Sequence, residues 1–365
     1  MAKAKYTRDK AGYFQTKVWD GTYVDGMKHR ITLRTDKSSR ELERMVNEHN
    51  EKLRNRQYVR PIDITLIEYA RRWKTAYKGA LALNTRTMYN NIIEKHLIKL
   101  NCLVGDLTAM HYVDLISATK GKRTQQQIAM TLRQIVRSAI KDKLLPADAF
   151  DEIFKDTIKV TYKAPEKRVL TEYEKEAVFK ADFSPMDKAF VYILYGCGLR
   201  REEALALNVF NFNMARREIH IHDVIVFDGN KPLLKDTTKN EVNRTVPIPQ
   251  SIFPFLESYV KELRGTTLLF HMQDGSYVTK SSYDKRWARI VRKMQAVSPE
   301  PIQGLTAHIF RHNYCASLCY QIPKISIRKI AELLGDSDKM VIEVYNHVIA
   351  NKEKPHDVVS DALAL

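Results

Sequence analysis

Hydrophobic and polar positions change their period along the chain, and each change predicts a different kind of element. Residues 12–35 alternate. GYFQTKVW is aromatic and β-branched, turn residues follow at Asp20-Gly21 and Asp25-Gly26, and MKHRITLRT resumes the pattern, which predicts strands interrupted by turns. The next stretch, SSRELERMVNEHNEKLRNR, lacks Gly and Pro and reads as a helix, with Ser38 or Ser39 as N-cap and Glu41 and Glu43 in its first turns. Arg60-Pro61 marks a boundary. From 62 to 160 the apolar residues recur at helical spacing: Leu66, Ala70, Trp73 and Tyr77, then Met88, Ile92 and Leu97 behind Asn84 as cap, then Ile128, Leu132, Ile135 and Ile140 behind Thr124. Short polar links between them predict a small helical bundle.

A Lys-rich link, VTYKAPEKRVLT, opens a third region. Helices are expected at about 171–181 and 187–197, followed by alternation in REIHIHDVIVF, where Ile219, Ile221, Val224 and Val226 point inward and His220 and His222 share a solvated face. Strands are expected around 231–235 and 243–249, and helices from about 251 onward. The fold class is α+β and multidomain: a small sheet-plus-helix head (1–58), a helical bundle (62–162) and a mixed, mainly α domain (168–365).

Charge sharpens this division. Lys and Arg number 60 against 43 Asp and Glu, a formal net charge of +17, and fourteen of those surplus charges fall in residues 1–165. Nucleic acid is the usual partner of such a field, although a membrane surface or an acidic protein satisfies charge alone. A basic sheet and helix suit DNA binding, and a solvated basic lid has the same composition. Arg86, Arg123 and Arg133 are candidates for phosphate contact in the bundle. Four cysteines (Cys102, Cys197, Cys315, Cys319) form no disulfide framework, MAKAKYTRDK has no apolar signal core, and no run approaches the ~20 apolar residues of a membrane helix. A cytoplasmic protein without a membrane partner is expected.

Four segments of the third region carry candidate chemistry. In GCGLRREEALAL (196–207), Gly198 ends a helix and Arg200 starts the next element, one turn before Glu203. TKNEVNRTVPIP (238–249) places Lys239 on a turn before the strand that ends at Pro247. HIFRHNYCASL (308–318) sets His308 and Arg311 three apart at a helix start. In LLGDSDKMVIEVYNHV (333–348), Gly335 ends a helix and Tyr345 follows ten residues later.

Taken in order and spacing, these segments resemble the tyrosine recombinases, especially the lambda-type phage integrases. Gly198-Leu199-Arg200 with Glu203, Lys239 before Val246-Pro247, His308/Arg311/His312, Leu334-Gly335 and Tyr345/His347 match the family pattern across about 170–350. The head, bundle and last domain then resemble an arm-binding head, a core-binding bundle and a catalytic domain. The resemblance implies site-specific recombination of a phage or mobile element, without metal, cofactor or ATP. Double-stranded DNA at core and arm-type sites is the implied partner. A homotetramer on DNA and DNA-bending accessory proteins are implied with it.

The residue types suit that chemistry. Cleaving a phosphodiester without metal requires cations on the non-bridging oxygens, and guanidinium groups match phosphate bidentately; Arg200 and Arg311 take that role. Lys239 protonates the leaving 5′ oxygen, and the resemblance gives His308 an acid/base or orienting role. Tyr345 is the nucleophile. One position departs from the family: Asp336 stands where His, or sometimes Trp, normally follows Leu-Gly, and an ionised carboxylate cannot donate a hydrogen bond. It could turn away, be held protonated beside the phosphate, or slow the enzyme.

Plainer roles exist for the same residues. Arg200 could be a structural partner of Glu203; His308, His312, Cys315 and Cys319 have the spacing of a zinc site, or are small core residues and their neighbours. Tyr314 and Tyr320 are expected in the core. The tail, about 351–365, docks on a neighbouring protomer or on its own domain. A catalytically silent DNA-binding protein on this scaffold, and a relaxing type IB-like topoisomerase, are the rival functions.

Overall fold

The computed structural model describes residues 4–24, 26–54, 63–163, 168–235 and 243–349. The chain divides into two compact units, 1–164 and 165–365.

In the first unit, β1 (Phe14–Val24) and β2 (Met27–Thr35) form an antiparallel ribbon, and α1 (Ser39–Arg54) lies on one of its faces. Ser38 caps α1 by accepting from the Glu41 amide. Asp20-Gly21 does not turn the chain, contrary to the sequence pattern. It lies inside β1, where the register shifts between Trp19 and Tyr23. The bulge keeps Asp20 buried against α1, with His29 Nδ1 2.7 Å from its carboxylate. Val18 and fully buried Leu42 close the small core beneath.

The bundle consists of α2 (Leu66–Lys78), α3 (Leu83–Lys95), α4 (Ala109–Ser117), α5 (Lys122–Lys141) and α6 (Ala149–Phe154). Leu66, Ala70, Trp73, Ile92, Leu97, Ile128, Leu132 and Ile135 fill its core as their spacing predicts. Three details differ. Tyr77, in the last turn of α2, is 60% exposed. Asn84 sits inside α3 behind Ala82, and α5 starts two residues before Thr124, after Gly121.

In the second unit, α7 (Glu172–Lys180), α8 (Pro185–Cys197) and α9 (Arg201–Ala206) precede the strands. β3 (Phe212–Asn213), β4 (Glu218–Ile221) and β7 (Arg244–Pro247) form one antiparallel sheet in the order β3-β4-β7. β5 (Val224–Asp228) and β6 (Lys231–Lys235) form a separate hairpin. The alternation read through 217–227 is therefore two strands in two sheets, split at His222-Asp223, and His222 lies beside Asp223 rather than on a strand face. α10 (Phe253–Glu262), α11 (Lys280–Gln295), α12 (Ala307–Cys319), α13 (Ile327–Leu334) and α14 (Asp338–Ile349) complete the unit. Its main core is centred on α8, with Phe190, Val191, Ile193 and Leu194 all fully buried. A second core joins α12, α13 and α14 through Cys315, Cys319, Ile330, Leu334 and Val341.

Candidate active site

Two left-handed glycines deliver the site. Gly198 caps α8 at φ 62°, and a Cβ there would come within 2.3 Å of the Tyr314 ring, so the turn admits only glycine. The turn puts Arg200 at the N-cap of α9, where its backbone N–H donates to Glu203 Oε2 at 2.8 Å. Gly335 caps α13 at φ 59° in the same way and begins the short turn Gly335-Asp336-Ser337 that leads into α14.

Three guanidinium groups meet between these turns. Arg200 Nη1 donates to Glu203 Oε1 at 2.8 Å, and its Nη2 donates to Gly335 O at 3.0 Å and Asp336 Oδ2 at 2.8 Å. Arg311, from the first turns of α12, is 1% exposed. Its Nη1 donates to Gly198 O at 3.0 Å, and its Nη2 donates to Leu334 O and, at 3.1 Å, to Asp336 Oδ2. The buried Arg311 Nε has no hydrogen-bond partner among the described residues. Burial and the Arg200 charge push Arg311 down to about 10, which leaves it cationic at neutral pH.

The third guanidinium, Arg244 of β7, is absent from the residues singled out by sequence. It is 6% exposed, donates from Nε to Leu333 O at 2.8 Å, and makes a bidentate pair with Glu203 at 3.0 and 2.6 Å. A signal existed: Arg244 and Val246 share one face of β7, and Val246 is fully buried, so the strand period puts an arginine inward. Glu203, also fully buried, is thus shared by Arg200 and Arg244 and positions both. Burial alone would raise its carboxyl; Arg244, Arg200 and Arg311 outweigh that and hold it below the ordinary carboxylate range.

Asp336 does not turn away from the arginines, which corrects one of the expectations for it. One carboxylate oxygen receives both Arg200 and Arg311, and the other accepts from the Ser337 amide at 3.1 Å. Burial works to raise its acid, but the two guanidinium groups prevail and keep it below the usual range, hence ionised.

His308 lies exposed at the start of α12, with its ring 4.4 Å from that of His312 and edge-on to it. Cys315 and Cys319 point instead into the core of α12–α14, each 1% exposed, which separates them from His308. Among the described residues no group of three or more His, Cys, Asp or Glu side chains is arranged to hold a metal. Tyr345 sits on α14, partly buried against the α12–α14 core, and His347 follows in the same helix. Tyr314 packs under Gly198 as expected of a core residue, whereas Tyr320 is 47% exposed at the end of α12. Lys239 and the tail from 350 onward lie outside the described residues. No described helix is long and apolar enough to cross a membrane.

Residues 159–352, more than half of the chain, match the phage integrase family. The tyrosine recombinase XerD of Pseudomonas putida is 23% identical over 287 residues, covering 75% of this chain and 86% of its own. A XerC-like tyrosine recombinase of Caldanaerobacter subterraneus is 22% identical over 393 residues, with 96% of each chain covered. The Tn1549 transposon integrase, solved in complex with a circular intermediate DNA, superposes with a TM-score of 0.66 at 16% identity over 83% of this chain and 100% of its own. A lambda integrase dimer bound to a COC' core site gives 0.61 at 15% identity, with 96% of each chain covered. These structural likenesses concern the fold, and with the family match over the α7–α14 unit they place this chain: it belongs to the phage integrase family of tyrosine recombinases.

Proposed function

We propose that this protein is an integrase that cuts and rejoins DNA at specific sites through a tyrosine–DNA intermediate. The observation that carries the reading is the convergence of Arg200 and Arg311 on a single anionic oxygen, that of Asp336. Two fixed guanidinium groups at that point suit the non-bridging oxygens of a phosphodiester, whose negative charge rises in the transition state. Because both are held by backbone carbonyls, and Arg200 also by Glu203, little reorganisation is needed when charge develops.

In the proposed reaction the Tyr345 oxygen forms a bond to phosphorus and the bond to the 5′ oxygen breaks. Lys239 supplies the proton for that oxygen, and His308, on the exposed rim, orients the phosphate or takes the tyrosine proton. The products are a 3′-phosphotyrosine and a free 5′-hydroxyl. Attack by a second 5′-hydroxyl reverses the chemistry, and the energy of the phosphodiester is retained throughout.

Binding would be shared among domains. On the ribbon face away from α1, Gln15 pairs with Arg34, Lys17 with Thr32 and Trp19 with Arg30, while Lys28 lies 5.1 Å from the Trp19 ring. That basic face supports an arm-site role for residues 1–58, with the bundle (62–162) and the domain 168–365 on the core site. Four protomers on two duplexes, with DNA-bending accessory proteins, complete the reading for a phage or mobile element.

The test is a nicked duplex carrying the end sequence of the element that encodes the chain. A covalent protein–DNA adduct, lost in Tyr345→Phe, is the expected result. Binding without an adduct would support instead a silent DNA-binding protein, the rival that Asp336 itself favours by filling the phosphate position. Relaxation of any supercoiled plasmid would mark a topoisomerase.

A further inference from the structure

We propose that Asp336 is an internal stand-in for the scissile phosphate: its carboxylate holds Arg200 and Arg311 together in the DNA-free protein and gives up that place when a phosphate arrives. The inference rests on the integrase reading for the identity of the anion, but not for the existence of the anion site.

The geometry supports the exchange from several sides. Arg200 and Arg311 lie 111 positions apart in the chain on different elements, yet both donate to the same Oδ2, at 2.8 and 3.1 Å. Two guanidinium groups so close repel strongly at low dielectric, and burying one of them without a counter-charge is costly. Glu203 cannot offset both, because its two oxygens are also engaged by Arg244. Asp336 supplies the missing negative charge. Of the two Asp336 side-chain oxygens, only Oδ2 meets the guanidinium groups; Oδ1 is tied to the adjoining Ser337 amide. A phosphodiester also carries a single negative charge, so the swap leaves the charge of the cluster unchanged while adding a second non-bridging oxygen. The buried Arg311 Nε, without a partner among the described residues, is a donor that the carboxylate leaves unused and a tetrahedral anion could engage.

The side chain is also placed to leave. Asp336 stands on the three-residue turn between α13 and α14, its side chain 21% exposed against 2% for Arg311. Its Oδ1 bond to the Ser337 amide lies just ahead of the helix that carries Tyr345. Asp336 is therefore a positioning residue that acts through the arginines. It preserves a phosphate-sized gap before DNA binds, and it competes with DNA for that gap.

The experiment compares the full chain with Asp336→Ala and Asp336→Asn. Thermal unfolding is followed as inorganic phosphate replaces chloride at constant ionic strength. The natural chain should respond little, since its site is filled. Asp336→Ala should unfold at a lower temperature in chloride and recover with millimolar phosphate, and the gain should vanish in Asp336→Ala/Arg200→Gln. Equal phosphate responses in the natural chain and Asp336→Ala would overturn the proposal. So would a gain confined to Asp336→Asn, because the new amide donor, rather than a vacated site, would then be responsible.

A second arm uses the nicked end duplex. Asp336→Ala should need about tenfold less DNA for half-maximal adduct formation, the equivalent of ~1.4 kcal/mol in competition removed. An unchanged or higher requirement, with the fold intact, would contradict displacement. An adduct in every variant with no phosphate effect sinks this inference alone. A phosphate effect with no adduct anywhere sinks the integrase reading and leaves the anion site standing.

Discussion

The head and the guanidinium cluster are both built from cations and handle them in opposite ways. On the β1–β2 ribbon, Lys17, Lys28, Arg30 and Arg34 are exposed, and the Arg44 pairs of α1 with Glu41 and Glu48 also face solvent. Such charges act through a field screened over about 8 Å at physiological salt, and exposed pairs add little to stability. In the α7–α14 unit, Arg244 and Arg311 are nearly inaccessible, and every nitrogen but Arg311 Nε is matched to a carboxylate or a carbonyl oxygen. Buried charges cannot be left unmatched, so they specify geometry. Under the proposed function, one region would govern how strongly a polyanion is held and the other what happens to a single phosphate; changes to one should then leave the other intact.

Tyr345→Phe should separate them most completely. Covalent capture should fall at least about a thousandfold, as expected when a nucleophile is removed, while DNA retention in a gel-shift assay stays unchanged. A matching fall in DNA retention would mean that the two regions are not independent.

Glu203→Gln should show how far the site depends on buried charge balance. It strips the carboxylate from two guanidinium groups, and unfolding in urea at pH 7 should show a loss of about 3–5 kcal/mol. Because the folded Glu203 acid is held below its ordinary 4.5, its contribution is complete above that value and disappears as pH falls through the lowered one. The acid limb of the stability profile should accordingly be flatter in Glu203→Gln. Parallel profiles would show that Glu203 is not the linked group.

Gly335→Ala should cost less, about 1–3 kcal/mol, since φ is 59° and the new Cβ would lie 2.8 Å from Arg244 Nη1. Calorimetry checks the stability; a shift under about 0.5 kcal/mol would mean that the turn relaxes freely. The combined change Lys17→Ala/Arg30→Ala/Arg34→Ala should alter stability least, within about 0.5 kcal/mol. Its effect should appear in the salt dependence of DNA binding, whose logarithmic slope becomes shallower by about 0.9 for each phosphate that the ribbon no longer neutralises. An unchanged slope would remove the ribbon from the DNA interface.

What can be read from sequence follows the same division. Arg200, Arg311 and the two capping glycines are legible because helix ends and i,i+3 spacing are local properties. The bundle core is legible from its period, except at Tyr77, where the helix runs past the core it packs against. The bulge at Asp20-Gly21 has the residues of a turn, because a buried carboxylate bonded to His29 is a tertiary outcome that no local pattern encodes. Arg244 escapes a local reading for a related reason, since its partners Glu203 and Leu333 lie 41 and 89 positions away. The destination of Asp336 is equally hidden, because it depends on two guanidinium groups arriving from 136 and 25 positions away.

The most direct measurement is to identify which tyrosine carries DNA. The full chain is reacted with the nicked end duplex, the adduct is digested with nuclease and protease, and the nucleotide-bearing peptide is sequenced by mass spectrometry. The expected result is a nucleotide on Tyr345. A nucleotide on Tyr314, whose hydroxyl burial keeps strongly protonated, or on Tyr320 would contradict the assignment.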